Sequence, residues 1–202
     1  MFDGNFRAGV SRTVDPVGAG LYRIGVTADL LTVLGVLMSG AAAWIIGAGE
    51  LRWGFVAMLG AALPDLLDGP VAKAAGSSSK RGAFFDSSMD RVSDALIFIG
   101  IAWYLDSNEP GRISILPVAI MALALITSYL RAKGELLGYD AKGGIMERAE
   151  RYIAISVALV FNEILIPVLW VTLALTAVTV VQRFAKIWRQ ASDERDRETV
   201  AR

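Results

Sequence analysis

The sequence predicts an all-α, polytopic membrane protein, with six transmembrane helices behind an N-terminal interfacial helix and a polar cavity facing the cytoplasm. Three observations carry this prediction. The 202 residues are 54% hydrophobic with a mean hydropathy of +0.50, more apolar than an ordinary soluble domain. Uncharged runs at 30–49, 113–130 and 164–182 are each long enough to cross the ~30 Å hydrocarbon core as a helix. Three shorter uncharged runs, 53–64, 95–105 and 152–162, each adjoin a charged stretch, at 65–73, 86–94 and 147–151.

Along the chain, residues 1–22 form a juxtamembrane segment. Phe6, Val10, Val14 and Leu21 can face lipid from an interfacial helix, although Pro16, Gly18 and Gly20 interrupt the pattern. The segment lacks the apolar core of a cleaved signal peptide, so the first span is expected to remain in the mature protein. A membrane domain over 23–188 follows. Its first, fourth and sixth spans are the three long uncharged runs, and its second, third and fifth reach full length only by including their charged neighbours. Residues 189–202 read as a charged cytoplasmic tail, either a solvated, frayed helix or disorder.

In an alternating six-helix bundle the three charged halves share one membrane face. Charge at membrane depth is costly and is tolerated toward a protein interior or a watery cavity. Only Arg52 and Arg112 fall on the opposite face, and every other Lys and Arg falls on the face with the charged halves. The positive-inside rule then makes both termini and the cavity cytoplasmic, in the cell membrane.

Net charge is zero, which predicts no nucleic-acid partner. Without Cys or His, disulfides, thiol nucleophiles, conventional zinc sites and imidazole bases are excluded. Acid-base or metal chemistry must therefore use carboxylates, Lys, Tyr or hydroxyls. Asp65 and Asp68 are three apart and Asp86 and Asp90 four apart, so each pair shares a helix face. The turn "GSSSKRG" lets the two helices fold back and gather the four carboxylates. A divalent cation would relieve their repulsion, and oxygen-only ligands point to Mg2+ or Mn2+. Ion pairing with Lys73, Lys80, Arg81 and Arg91 is the alternative without a metal, and Asp94 is better read as a structural partner for a basic residue.

Asp65-x-x-Asp68-Gly69-x-x-Ala72, then eight residues between position 73 and Gly82, then Gly82-x-x-x-Asp86-x-x-x-Asp90, resembles the signature of the CDP-alcohol phosphotransferases. That family has Arg where this chain has Lys73. The resemblance implies six helices, a homodimer, two divalent cations, and transfer of a phosphatidyl group from CDP-diacylglycerol to an alcohol with release of CMP. It implies that Asp65, Asp68, Asp86 and Asp90 are metal ligands and that Asp90 is also the base. By the same resemblance Asp29, Leu30, Leu31, Thr32, Gly69, Lys73 and Ser79 touch the CDP-diacylglycerol.

The second half carries Ser128 and Arg131, then a Gly-rich stretch, then Arg148 and Arg151, with Arg183 after the sixth span. Several guanidiniums on one face suit a dianionic phosphomonoester, and each taken alone suits a headgroup anchor equally well. The run resembles the actinobacterial phosphatidylinositol phosphate synthases, which have Lys at the position of Arg131. That likeness implies that Ser128, Arg131, Arg151 and Arg183 hold inositol 1-phosphate. Glycerol 3-phosphate is the rival acceptor. An intramembrane prenyltransferase and a cation transporter with the aspartates as its ion path are rivals of other classes. The absence of an inverted repeat and the one-sided placement of the acids speak against the transporter.

Overall fold

The computed structural model describes residues 4–76 and 79–200, without the side chains of 4–13, 198 and 200. Phe6 and Val10, expected toward lipid, and Ser77 and Ser78 of the expected turn therefore lie outside the described residues. Every element among the described residues is helical. The chain divides into one compact unit ending at Ser114 and another beginning at Ile115.

The first unit contains α1 (Gly4–Arg23), α2 (Ala28–Gly47), α3 (Leu51–Ala74) and α4 (Lys80–Asn108). α1 stays helical through Pro16 and packs on α3, where Gly18 is buried against Pro70. α2 begins at the N-cap Thr27, whose side chain accepts the amide of Leu30 at 3.3 Å. α2 then packs on both α3 and α4. Its buried residues Gly35, Ser39, Ala42, Ala43, Ile46 and Gly47 recur every three or four positions, a seam of mostly small side chains that lets helices approach closely. The approach is tightest at Gly100 of α4, where a Cβ would stand 2.5 Å from the Ala43 carbonyl oxygen. The other face of α2 exposes Leu30, Val33, Leu34, Leu37 and Trp44, as a lipid-facing helix does.

The expected second and third spans run without a break through their charged halves, as α3 and α4. Pro64 and Pro70 sit inside α3, where each removes a backbone donor and loosens the helix around the Asp65–Asp68 turn.

The second unit contains α5 (Ile115–Leu136), α6 (Arg148–Val160), a 3-10 turn (Asn162–Ile164) and α7 (Leu165–Val200). α5 and α6 each pack on α7. One face of α7 buries Leu165, Leu169, Thr172, Thr176, Thr179 and Arg183, so it turns from apolar to polar to charged along its length. α6 has 13 residues, about 20 Å at 1.5 Å per residue, short of a full span. The preceding loop stops it from growing backwards: Gly138, Gly143 and Gly144 all have positive φ, and the helix starts on a capping box between Glu147 and Glu150. Residues 189–200 continue α7 as helix.

By length and composition, α2, α3, α5 and α7 with the turn leading into it are each able to cross a membrane.

Candidate active site

The spacing read from sequence places Asp65 and Asp68 one turn apart on α3 and Asp86 on the first turns of α4. The connection between these helices is short, so the three side chains converge, and one carboxylate oxygen from each lies within 4.8 Å of the other two. Oxygens bonded to one hard divalent ion at ~2.0–2.6 Å fall within that separation, so the trio fits such an ion by distance and by donor chemistry. Asp90, one turn beyond Asp86, is not in the trio, and its carboxylate takes Arg91 Nη2 at 3.4 Å.

The start of α2 supports the cluster. The Thr32 hydroxyl is 3.3 Å from Asp68 Oδ2 and 3.1 Å from the Ala28 carbonyl oxygen. Asp29 pairs with Arg81 at 3.0 Å, which ties the first turn of α2 to the first turn of α4. That pair was not legible in sequence, because 52 positions separate its members and each was singled out for a different partner. Leu31 is buried, while Leu30 is 48% exposed. Nothing lies within 4 Å of where a Cβ on Gly69 would be, so open space adjoins that backbone beside the acids. Ser79 caps α4, its hydroxyl oxygen accepting the Gly82 amide at 3.1 Å. Lys73 extends to Asp15 of α1 and pairs with it, largely exposed.

The second unit holds the candidate acceptor residues. Ser128 Oγ donates to the Ala124 carbonyl at 3.0 Å. Arg131 is exposed and gives Nε to Glu135 at 3.0 Å. Arg151 is buried and donates from Nη1 to the Met146 carbonyl at 3.2 Å. Arg183 is 4% exposed and the most heavily bonded of the four. It donates from Nη1 to the Thr127 carbonyl at 2.8 Å, from Nε and Nη2 to the Gly143 carbonyl at 3.3 and 2.8 Å, and from Nη2 to Glu147 at 2.9 Å. Four of its five N–H groups are thereby committed. Sequence reasoning singled out the arginine and missed Glu147, whose place before a helix suggests only a cap. The surface reading of Arg148 gains a detail: its guanidinium lies 5.2 Å from the centre of the Tyr152 ring.

Residues 25–182 match the family model for CDP-alcohol phosphatidyltransferase. The chain belongs to the CDP-alcohol phosphatidyltransferase family. It is accordingly an enzyme, a phosphotransferase, which removes the ion-path reading of the aspartates. This transferase is 34% identical over 210 residues to the phosphatidylinositol phosphate synthase of Streptomyces avermitilis, across 96% of its own length and 85% of that protein's. It resembles the solved structure of the Mycobacterium tuberculosis phosphatidylinositol phosphate synthase with CDP-DAG bound, with TM-score 0.82 and 29% identity, covering 88% of this chain and 94% of that one. The same mycobacterial protein in complex with manganese and citrate matches with TM-score 0.80 and 30% identity, over 87% and 88% of the two chains. The manganese in that relative and the converging aspartates here together support a divalent metal in this transferase.

Proposed function

We propose that the transferase moves the phosphatidyl group of CDP-diacylglycerol to inositol 1-phosphate, giving phosphatidylinositol phosphate and CMP. The observation that carries the chemistry is the convergence of Asp65, Asp68 and Asp86. The acceptor rests on the arginines of the second unit and on likeness to the synthases named above.

In this reading Asp65, Asp68, Asp86 and Asp90 hold divalent cations, Mg2+ or Mn2+ and two in number. Such ions would neutralise the diphosphate oxygens and favour departure of CMP. An inositol hydroxyl oxygen bonds to the β-phosphorus, the bond from that phosphorus to the bridging oxygen breaks, and the electron pair leaves with CMP. The hydroxyl proton passes to Asp90, one turn past Asp86 on the same face of α4. Open space at Gly69 admits the nucleotide to the backbone. Asp29, Leu30, Leu31, Thr32, Lys73 and Ser79 complete the CDP-diacylglycerol contacts. Thr32 has a second task, holding Asp68 by its hydroxyl.

Ser128, Arg131, Arg151 and Arg183 bind the acceptor phosphate. Arg183 reaches it by exchanging Glu147 for the phosphate, since three of its other donors are committed to backbone carbonyls. The membrane domain spans 23–188 with six crossings, its site and both termini are cytoplasmic in the cell membrane, and it works as a homodimer.

Purified protein given CDP-diacylglycerol, Mg2+ and radiolabelled inositol 1-phosphate is expected to make labelled lipid and to stop on Asp90→Asn substitution. No labelled lipid from inositol 1-phosphate, with product from glycerol 3-phosphate, would move the acceptor assignment. Continued CMP release from Asp90→Asn would remove that residue as base.

A further inference from the structure

The loop between α5 and α6 runs back along one stripe of α7. The Met146 amide donates to Thr179 Oγ1 at 2.9 Å, and Arg183 binds the Gly143 carbonyl and Glu147. Lys186 Nζ donates to Asp140 Oδ2 at 2.7 Å and to the Lys142 carbonyl at 2.9 Å. The Gln190 amide pairs both ways with the backbone of Asp140, accepting its N–H and donating to its carbonyl, each at 2.9 Å. Tyr139 donates its hydroxyl proton to Glu194. The α7 positions 179, 183, 186, 190 and 194 are three or four apart, so they form one face, and the loop numbers fall as the α7 numbers rise.

The contact is close as well as long. A Cβ on Gly144 would stand 2.3 Å from Thr179 Cγ2, and the φ of +144° at Gly144 disfavours any other residue. A loop with positive φ at 138, 143 and 144 has many conformations to lose, so its position depends on these rungs. The last three rungs lie past the apolar run that ends at 182, and two of them, Gln190 and Glu194, belong to the charged stretch 189–202.

We propose that Lys186 and Gln190 are positioning residues for the acceptor-phosphate pocket: they anchor the loop so that Gly143 and Glu147 meet Arg183 in a fixed arrangement. This rests on the acceptor reading given above. Neither residue touches substrate.

The test uses the full chain in lipid nanodiscs, comparing Lys186→Met, Gln190→Ala, the double variant and Lys186→Arg. The double variant is expected to raise KM for inositol 1-phosphate roughly tenfold, the sum of two exposed polar contacts. KM for CDP-diacylglycerol and kcat should stay within about twofold, since those contacts lie elsewhere. Amide hydrogen exchange at Asp140 and Met146 should quicken, and Lys186→Arg should restore the acceptor KM. Faster loop exchange with an unmoved acceptor KM overturns the proposal. So does a joint fall of kcat, both affinities and the thermal midpoint, which is what a merely structural contact would give. If the wild type uses only glycerol 3-phosphate, the acceptor reading fails, and the same comparison of variants is read on the KM for that substrate.

Discussion

Asp86→Asn should stabilise the protein in chelator and destabilise it, relative to wild type, in saturating Mn2+. The reasoning starts from separation: one oxygen from each of Asp65, Asp68 and Asp86 lies within 4.8 Å of the others. Two unit charges at that distance repel by about 3.5 kcal/mol at an effective dielectric of 20 and by about 0.9 kcal/mol in water. Neutralising Asp86 deletes two of the three repulsive pairs. The acids are partly open to solvent, so the lower figure is the nearer guide, and the gain is about 2 kcal/mol. For a chain of this size that is roughly 4–8 °C in melting temperature.

Metal reverses the order. A cation that binds only the folded state stabilises it by RT ln(1 + [L]/Kd), and the variant has lost one of its ligands. Thermal unfolding in detergent, run in EDTA and again over a Mn2+ titration, reads both signs. The reasoning fails if Asp86→Asn melts at or below wild type in EDTA, or gains as much as wild type from Mn2+. Either result would mean that the trio is an ordinary solvated helix face.

Two glycines separate packing from binding. Gly100→Ala should cost about 1–3 kcal/mol in thermal unfolding, because its Cβ meets the Ala43 backbone. Gly69→Ala should hold or slightly raise the melting temperature, because nothing stands there and Ala is the better helix former, and raise KM for CDP-diacylglycerol. Glu147→Gln retains an acceptor for Arg183 but no competing charge, so KM for inositol 1-phosphate should fall roughly fivefold; a higher KM would count against exchange at Arg183. The Lys186 hydrogen bond, followed by the Lys142 backbone amide, holds the Asp140 carboxyl below its ordinary value of 3.8. Since the folded value is the lower one, the contribution of this contact is complete above 3.8 and is lost as pH falls through the depressed value. Carbon NMR of labelled Asp140 should therefore titrate below 3.8, and in Lys186→Met the midpoint should move up.

The parts of the fold legible in sequence are those that local pattern determines. α2, α5 and the apolar portion of α7 follow from uncharged runs, since a bilayer requires both the length and the absence of charge. The α3–α4 arrangement was legible because acids at three- and four-residue spacing and a glycine turn imply one another. α6 was expected to begin at 147 and to serve as a span. Its charged start is helical, and the helix is only 13 residues long, because neighbouring glycines with positive φ close off its N-terminal side. The expected N-terminal helix forms as α1 despite Pro16 and two glycines, because packing of Gly18 on Pro70 outweighs their weak propensity.

The carboxylates of the first unit and the arginines of the second differ in how far a pattern can speak for them. Three carboxylates brought together from α3 and α4 repel unless something positive joins them, so their convergence itself points toward a cation. A buried arginine carries no such implication, since it must be paired whether or not it ever meets a substrate. Arg183 is paired with acceptors 36, 40 and 56 positions away, none of which shows in its own neighbourhood of the sequence. A guanidinium with one N–H to spare can offer a phosphate a single bond, and gains a two-pronged grip only by giving up a partner. Of its partners, Glu147 is the one whose charge a phosphate reproduces and whose release leaves no buried backbone carbonyl unpaired. If Arg183 binds the acceptor as proposed, recognition there is largely an exchange reaction, its strength set by the difference between two anions and not by the attraction of either.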